Sequence, residues 1–274
     1  MGRSSRWSGL FLFFLLEATL LFAQELPKAP QAQVFSLTPT PGWFTEPGIA
    51  VNPSNPQQVV AVFQDNAHAA YSPDAGHTWD SAQDVAPKNF RVSGDVSTTF
   101  DSKGHAFICY IAFDKLGSFN YWAHGATRNG IFVRRSLDGG KTWDPDHIPV
   151  AEQQSVPGIP FEDKPYIVAD TSPRSRFAGN LYVGWTRWRL TDSLIVISRS
   201  TDNGKTWSEP IEIDAHPGLP RDDNGAAEGF DGAVAPDGTV YAIWSQDDDI
   251  MFTSSRNGGK NFSHARPIIH IARD

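Results

Sequence analysis

Beyond residue 41 the apolar positions fall in short runs separated by clusters of Gly, Pro, Asp, Asn and Ser, with no sustained helical period. The stretches IAVNPSNPQQVVAVF, TTFDSKGHAFICYI, YIVADTSPRSRFAGNLYVGW and AVAPDGTVYAIW each read as strand, polar turn, strand, because β-branched and aromatic residues flank a turn-forming centre. Each is followed by a further β-like run, AHAAYS, GIFVRRS, LIVISRS or IMFTSS. After each run comes an octet: SPDAGHTW (72–79), SLDGGKTW (136–143), STDNGKTW (200–207) and the divergent SRNGGKNF (255–262).

The first three octets share the pattern S-x-D-x-G-x-T-W, and their third positions with that of the fourth, Asp74, Asp138, Asp202 and Asn257, lie 64, 64 and 55 residues apart. Ser and Asp bond nearby backbone N–H groups, Gly supplies positive φ, and the terminal Trp covers the turn. The octet therefore joins two antiparallel strands, and the repeating unit is four strands long. Four such units of about 55–64 residues describe all-β propeller blades better than a sandwich or solenoid. The boundaries are 42–90, 91–152, 160–215 and 226–272, after a linker at 24–41.

The first 23 residues differ from the rest. Arg3 and Arg6 precede apolar runs from Leu10 to Leu16 and Leu20 to Ala23, the pattern of a secretory signal peptide cleaved after Ala23. Glu17 interrupts the run and argues against an anchor helix. The expected address is secreted or periplasmic, with no membrane association after cleavage.

Composition narrows the function classes. A net charge of −8 removes the electrostatic basis for nucleic-acid binding, and a single Cys excludes a disulfide framework or a multi-cysteine metal site. The eight histidines show no metal-ligand spacing, so neither metal nor cofactor is expected.

The octets resemble the Asp-box, or BNR, repeats of the sialidase superfamily, and the resemblance spans roughly residues 42–270. It implies an all-β, sialidase-like propeller of four-stranded antiparallel blades. That family's propellers usually have six blades and this chain carries four, so it is either an incomplete six-bladed propeller or closes in another way. In an up-and-down blade the Asp boxes lie on the face opposite the family's usual site, which makes their carboxylates structural.

The opposite face collects other residues. Glu46, Asp95 and Asp163 stand near the starts of three inner strands, with Glu228 and Asp231 at the fourth; they either ring the channel mouth or pair locally with Lys164 and Arg91. Arg187, Trp188 and Arg189 follow a strand in blade 3, and Asp247, Asp248 and Asp249 form an acidic turn in blade 4. The long blade-2 connection from Asp114 to Gly130 offers Tyr121, Trp122, His124 and Arg128, and aromatic faces suit the apolar faces of sugar rings. Tyr121, Trp122, Arg128, Arg187, Trp188 and Arg189 are thus the candidate ligand contacts.

A sialidase uses three arginines, a Tyr nucleophile paired with Glu, and an Asp acid/base, an exception to the two-carboxylate plan. Here Phe44-Thr45-Glu46-Pro47 stands where the resemblance expects an arginine motif. Glu228 resembles the glutamate that supports the nucleophile, and Asp65 occupies the acid/base position. The nucleophilic Tyr and last arginine come from later blades in that family. The resemblance implies a carbohydrate-active protein, an exo-glycosidase if catalytic; the alternative is a non-catalytic propeller binding glycan or protein.

Overall fold

In the computed structural model residues 33–38, 42, 44–64, 66–115, 126–154, 160–221 and 225–271 are described. The expected signal peptide lies outside them. The described chain forms sixteen strands in four four-stranded antiparallel sheets and contains no helix. Blade 1 holds β1 (Thr45–Val51), β2 (Val59–Gln64), β3 (His68–Ser72) and β4 (Gln83–Asp84). Blade 2 holds β5 (Val92–Phe100), β6 (Ala106–Phe113), β7 (Arg128–Ser136) and β8 (Ile148–Gln154). Blade 3 holds β9 (Phe161–Ala169), β10 (Leu181–Trp188), β11 (Ser193–Ser200) and β12 (Ile211–Glu212). Blade 4 holds β13 (Glu228–Val234), β14 (Val240–Gln246), β15 (Asp249–Ser255) and β16 (Arg266–His270).

Within every sheet spatial order follows chain order, and the first strands β1, β5, β9 and β13 pack side by side in succession. This is the up-and-down blade arrangement of a propeller. The second and third strands of blades 2 and 3 are largely apolar on both faces because those two sheets are sandwiched between neighbours. Thus every residue of β6, AFICYIAF, is buried, Cys109 among them. Three apolar cores result: Val62, Tyr110 and Phe132 between blades 1 and 2, Cys109, Phe161 and Trp185 between blades 2 and 3, and Ile195, Phe230 and Trp244 between blades 3 and 4. Strand β14 departs from this, alternating buried and exposed residues.

The octets are turns closed by their own side chains. In blade 2, Gly140 N donates to Ser136 Oγ (2.7 Å), Ser136 Oγ to Asp138 Oδ1 (2.7 Å), Thr142 N to Asp138 Oδ1 (2.8 Å) and Thr142 Oγ1 to Asp138 Oδ2 (2.6 Å). The same four bonds recur around Asp74 and Asp202. Asn257 keeps the geometry with an amide oxygen, accepting from Ser255 Oγ and the N–H groups of Lys260 and Asn261. For Asp138 and Asp202 burial opposes ionisation, but the Thr donors outweigh it and hold both carboxyls below their usual range; at Asp74 the Thr78 N–H is the dominant cause. The boxes are therefore structural, as the turn chemistry implies.

From the second box on, each turn also wedges against the preceding blade. Two successive left-handed residues end in Gly140 (φ 101), Gly204 (φ 76) or Gly259 (φ 75). A methyl group on Gly140 would collide with Val60 of blade 1, on Gly204 it would lie 3.2 Å from Phe107 of blade 2, and on Gly259 2.7 Å from Tyr182 of blade 3. Arginines just before the box serine reach forward to the next box: Arg135 donates to Asn203 O (3.3 Å) and Arg199 to Gly258 O (3.1 Å).

Candidate functional site at the channel mouth

A register break recurs in all four inner strands. Thr45 faces Gln64 and Gly48 faces Val62, so Glu46 and Pro47 together oppose Phe63. In the same way Asp95 and Val96 oppose Tyr110, Lys164 and Pro165 oppose Trp185, and Gly229 and Phe230 oppose Trp244. Each break is a β-bulge facing an aromatic side chain. The first bulge residue is left-handed every time: Glu46 (φ 49), Asp95 (φ 47), Lys164 (φ 50) and Gly229 (φ 76). A bulge re-aims its side chain out of the strand's alternation. Three charged residues held where glycine is favoured cost about 1–2 kcal/mol each, strain of the kind that gathers at functional sites.

The four bulges converge on a cavity of about 170 Å³ lined by Glu46, Asp95, Lys164, Tyr166, Gly229 and Phe230, among others. Lys164 Nζ from blade 3 lies 3.0 Å from Glu46 Oε1 of blade 1, spanning the mouth. Gln64 Oε1 accepts from Asp95 N (2.6 Å) and pins the blade-2 bulge to blade 1. Behind the bulge, Asp163 is buried and accepts from Trp188 Nε1 (2.9 Å).

The carboxyl groups of Glu46, Asp95 and Asp163 act on one another, with Asp95 between the other two. Burial pushes Asp95 up to about 7, reinforced by the charge of Asp163, so Asp95 retains a proton far above the usual carboxylate range. Burial likewise raises Glu46 and Asp163, with Asp95 adding to the rise at Glu46 and Glu228 to that at Asp163. Burial would lower Lys164, but the surrounding acids, Asp95 first, hold its ammonium above the ordinary lysine range. Tyr166 is raised by burial and by the charge of Asp231, so its hydroxyl is a donor rather than a phenolate.

Of the carboxylates expected at the strand starts, Glu46 and Asp95 line the mouth, Asp163 is buried behind it and Asp231 lines a separate cavity on blade 4, while Lys164 pairs with Glu46. Glu228 opens β13 and acts electrostatically on Asp163. The other candidates are placed elsewhere or already engaged. Arg128 pairs with Glu152 (2.6 Å) and lies over Phe90, 4.3 Å from its centroid. Arg187 pairs with the fully buried Glu162 (2.8 Å), which also accepts from Trp185 and Gln153. Arg189 pairs with Asp192 (2.5 Å), and Trp188 is a buried partner of Asp163 rather than an open platform. Asp65, Tyr121, Trp122 and His124 lie outside the described residues. Asp247 (φ 52) and Asp248 (φ 68) form a two-residue hairpin turn, and Asp249 pairs with His270 (2.9 Å). No group of three or more His, Cys, Asp or Glu among the described residues is placed to hold a metal ion.

Sequence reasoning missed Tyr166 and Glu162. The available signal was the alignment of Glu46-Pro47 with Lys164-Pro165, each followed by the apolar part of an inner strand. That alignment marks equivalent bulges and would have drawn Tyr166, which follows Lys164-Pro165, into the site; nothing in it marks Glu162.

The profile of the BNR/Asp-box repeat matches residues 198–209, the third box and its approach. A sialidase of Bacteroides fragilis (strain YCH46) is 34% identical over 99 residues, covering 30% of this chain and 18% of that protein. Among solved structures, the Hadza microbial sialidase Hz136 is similar at a TM-score of 0.58 and 15% identity, over 81% of this chain and 46% of its own. NanB sialidase from Streptococcus pneumoniae (K499G mutant) gives 0.58 at 12% identity, over 83% and 52%. The α-L-arabinofuranosidase arb93a of Fusarium graminearum (E242A mutant) gives 0.54 at 14% identity, over 82% and 66%. The chain therefore spans less than a fifth of the curated sialidase and about half of the two sialidase structures. Fold and repeat together define an all-β propeller with Asp boxes. The chain carries one matched BNR/Asp-box repeat and is similar in fold to these sialidases.

Proposed function

We propose that this chain is part of an exported, carbohydrate-active propeller that cleaves glycans as an exo-glycosidase at the channel mouth, on the face opposite the Asp boxes. The observation that carries the reading is the convergence of left-handed, charged bulge residues on one cavity, with Asp95 pushed up to about 7 beside other carboxyls. Carboxyls whose environments separate their protonation states can divide acid and base roles. Asp95, protonated near neutrality, is the proton donor to the leaving oxygen. Glu228, at the start of β13 next to the mouth-lining Gly229, is the partner carboxylate. Lys164 and the Tyr166 hydroxyl orient sugar hydroxyls.

Charge favours a neutral glycan over a sialoside. Lys164 is the one cation among the described residues lining the mouth, and Glu46 already holds it. Arg128, Arg187 and Arg189 are committed to Glu152, Glu162 and Asp192. A substrate carboxylate would meet an acidic rim. The test is a panel of fluorogenic exo-glycosides, including an arabinofuranoside and a sialoside, assayed with the wild type, Asp95→Asn and Glu228→Gln. Turnover of a neutral glycoside, lost in both variants at unchanged fold, is the expected result. The second reading, a non-catalytic glycan- or protein-binding propeller, is favoured by Glu46 standing where the resemblance expects an arginine. Glycan retention without turnover would establish it, and turnover unaffected by either substitution would remove the mouth as the site.

A further inference from the structure

Where blade 4 meets blade 3, the turn between β9 and β10 lies against the fourth Asp box. Arg174 and Arg176 of the turn are exposed, as are Arg256 and Lys260 of the box. Arg176 donates to Arg256 O (3.0 Å) and lies over Phe177, 4.8 Å from its centroid. Gly258 packs so close to that ring that a methyl group on it would come within 2.7 Å. Arg199 reaches the same box from β11 and donates to Gly258 O (3.1 Å). Cationic side chains thus gather around one turn and one box. None of Arg174, Arg176, Arg199, Arg256 and Lys260 is in an ion pair among the described residues. Arg176 and Arg199 commit one N–H donor each, which leaves most of each guanidinium fork for a ligand.

The other boxes lack this excess. Their third position is Asp74, Asp138 or Asp202, held ionised by the turn, and their second is Pro73, Leu137 or Thr201. Box 4 has Asn257 and Arg256 in those places. Asn257 accepts the turn's bonds through its amide oxygen, so the geometry is kept and the negative charge is lost. Arg135, the equivalent of Arg199, pairs with Asp144 (2.8 Å). Asp144 N donates to Arg135 O, and the residue that donates to Arg199 O in the same way is Ser208, which carries no charge. Nearby acids are engaged: Asp170 is fully buried and accepts from Ser175 Oγ, and Asp237, which acts on Arg256, accepts from Thr239 N (2.9 Å). In boxes 2 and 3, which have blades on both sides, Leu137, Lys141, Thr201 and Lys205 are exposed. A blade on either side therefore leaves the positions of Arg256 and Lys260 open.

We infer that the fourth Asp box and the turn beside it bind an anionic polysaccharide, on the face opposite the mouth. In a chain of net charge −8, a local excess of unpaired cations attracts anions that the rest of the surface repels. Four of these five cations are arginines, whose planar forks match the oxygens of sulfate and carboxylate groups. Several cations side by side suit a polymer that carries an anionic group on successive sugars. Among the described residues no exposed large apolar side chain belongs to this turn or box, so nothing there enters a bilayer, which favours a soluble polyanion over a membrane. The site is separate from the mouth, and either can fail without the other.

Binding to immobilised dextran sulfate, with uncharged dextran as the control surface, tests this. The variants are Asn257→Asp, the double substitution Arg174→Ser with Arg256→Leu, and Lys141→Ala in box 2. Asn257→Asp restores the acid of the other boxes, and Leu137 already stands at the equivalent of Arg256, so melting temperatures should match the wild type. The wild type should bind dextran sulfate and not dextran. Affinity should fall roughly tenfold in the double variant, and measurably in Asn257→Asp, while Lys141→Ala binds like the wild type. No binding by the wild type, equal binding by the double variant, or an equal loss in Lys141→Ala would each overturn the proposal. So would capture of phosphatidylglycerol vesicles or of DNA in preference to dextran sulfate, which would assign these cations to a different partner.

Discussion

Replacing Gly140 with Ala separates the turn from the wedge. At φ 101 an alanine is strained whatever surrounds it, at about 1–2 kcal/mol. Its methyl group would also collide with Val60 and come 3.7 Å from Tyr71, across the junction with blade 1. Overpacking of that kind costs about 1–3 kcal/mol more. Gly76→Ala is the matched control, since it sits at the same octet position with φ 87 and its methyl meets only Trp79 at 3.7 Å. The difference of about 1–3 kcal/mol belongs to blade packing, and at about 2–4 °C per kcal/mol for a domain of this size it separates the two melting temperatures by roughly 2–12 °C. Differential scanning calorimetry of the two variants, with Gly259→Ala between them and Gly204→Ala nearer the control, reads the series directly. Equal melting temperatures for Gly140→Ala and Gly76→Ala would refute the claim that the boxes join blades.

Three further outcomes are expected. Because folding raises the Asp95 pKa, the folded state holds that proton more tightly than the unfolded chain, so this contribution is full below about pH 4 and is lost as pH climbs through about 7; Asp95→Asn should flatten the decline in denaturant-melt stability over that window, and an unchanged slope would reject the protonated Asp95. Glu162→Gln leaves Arg187 without its buried partner and should cost about 3–5 kcal/mol in urea unfolding, whereas a loss under about 1 kcal/mol would show the pair to be solvated. Trp188→Phe removes the donor to buried Asp163, which should cost about 1–3 kcal/mol and shift any pH–rate profile upward, because that hydrogen bond lowers the Asp163 pKa; an unmoved profile would separate Asp163 from the chemistry.

The Asp boxes were legible in the chain because their bonds are local: Ser136, Asp138, Gly140 and Thr142 satisfy one another within a span of seven residues. The four-strand unit was legible for a similar reason, since antiparallel neighbours are joined by turns whose residues announce themselves. Even the face that gathers the carboxylates followed from the alternation of turns in an up-and-down sheet. What each side chain does there did not follow. Lys164 and Glu46 are 118 residues apart and meet only because two bulges in separate blades point into one mouth. Arg128, Arg187 and Arg189 looked available to a ligand until the fold supplied acids within ion-pair distance. Turn chemistry is written in neighbouring residues, so sequence determined it alone. Protonation of Asp95 and engagement of the arginines depend on which blades surround them, and only the tertiary structure decided those.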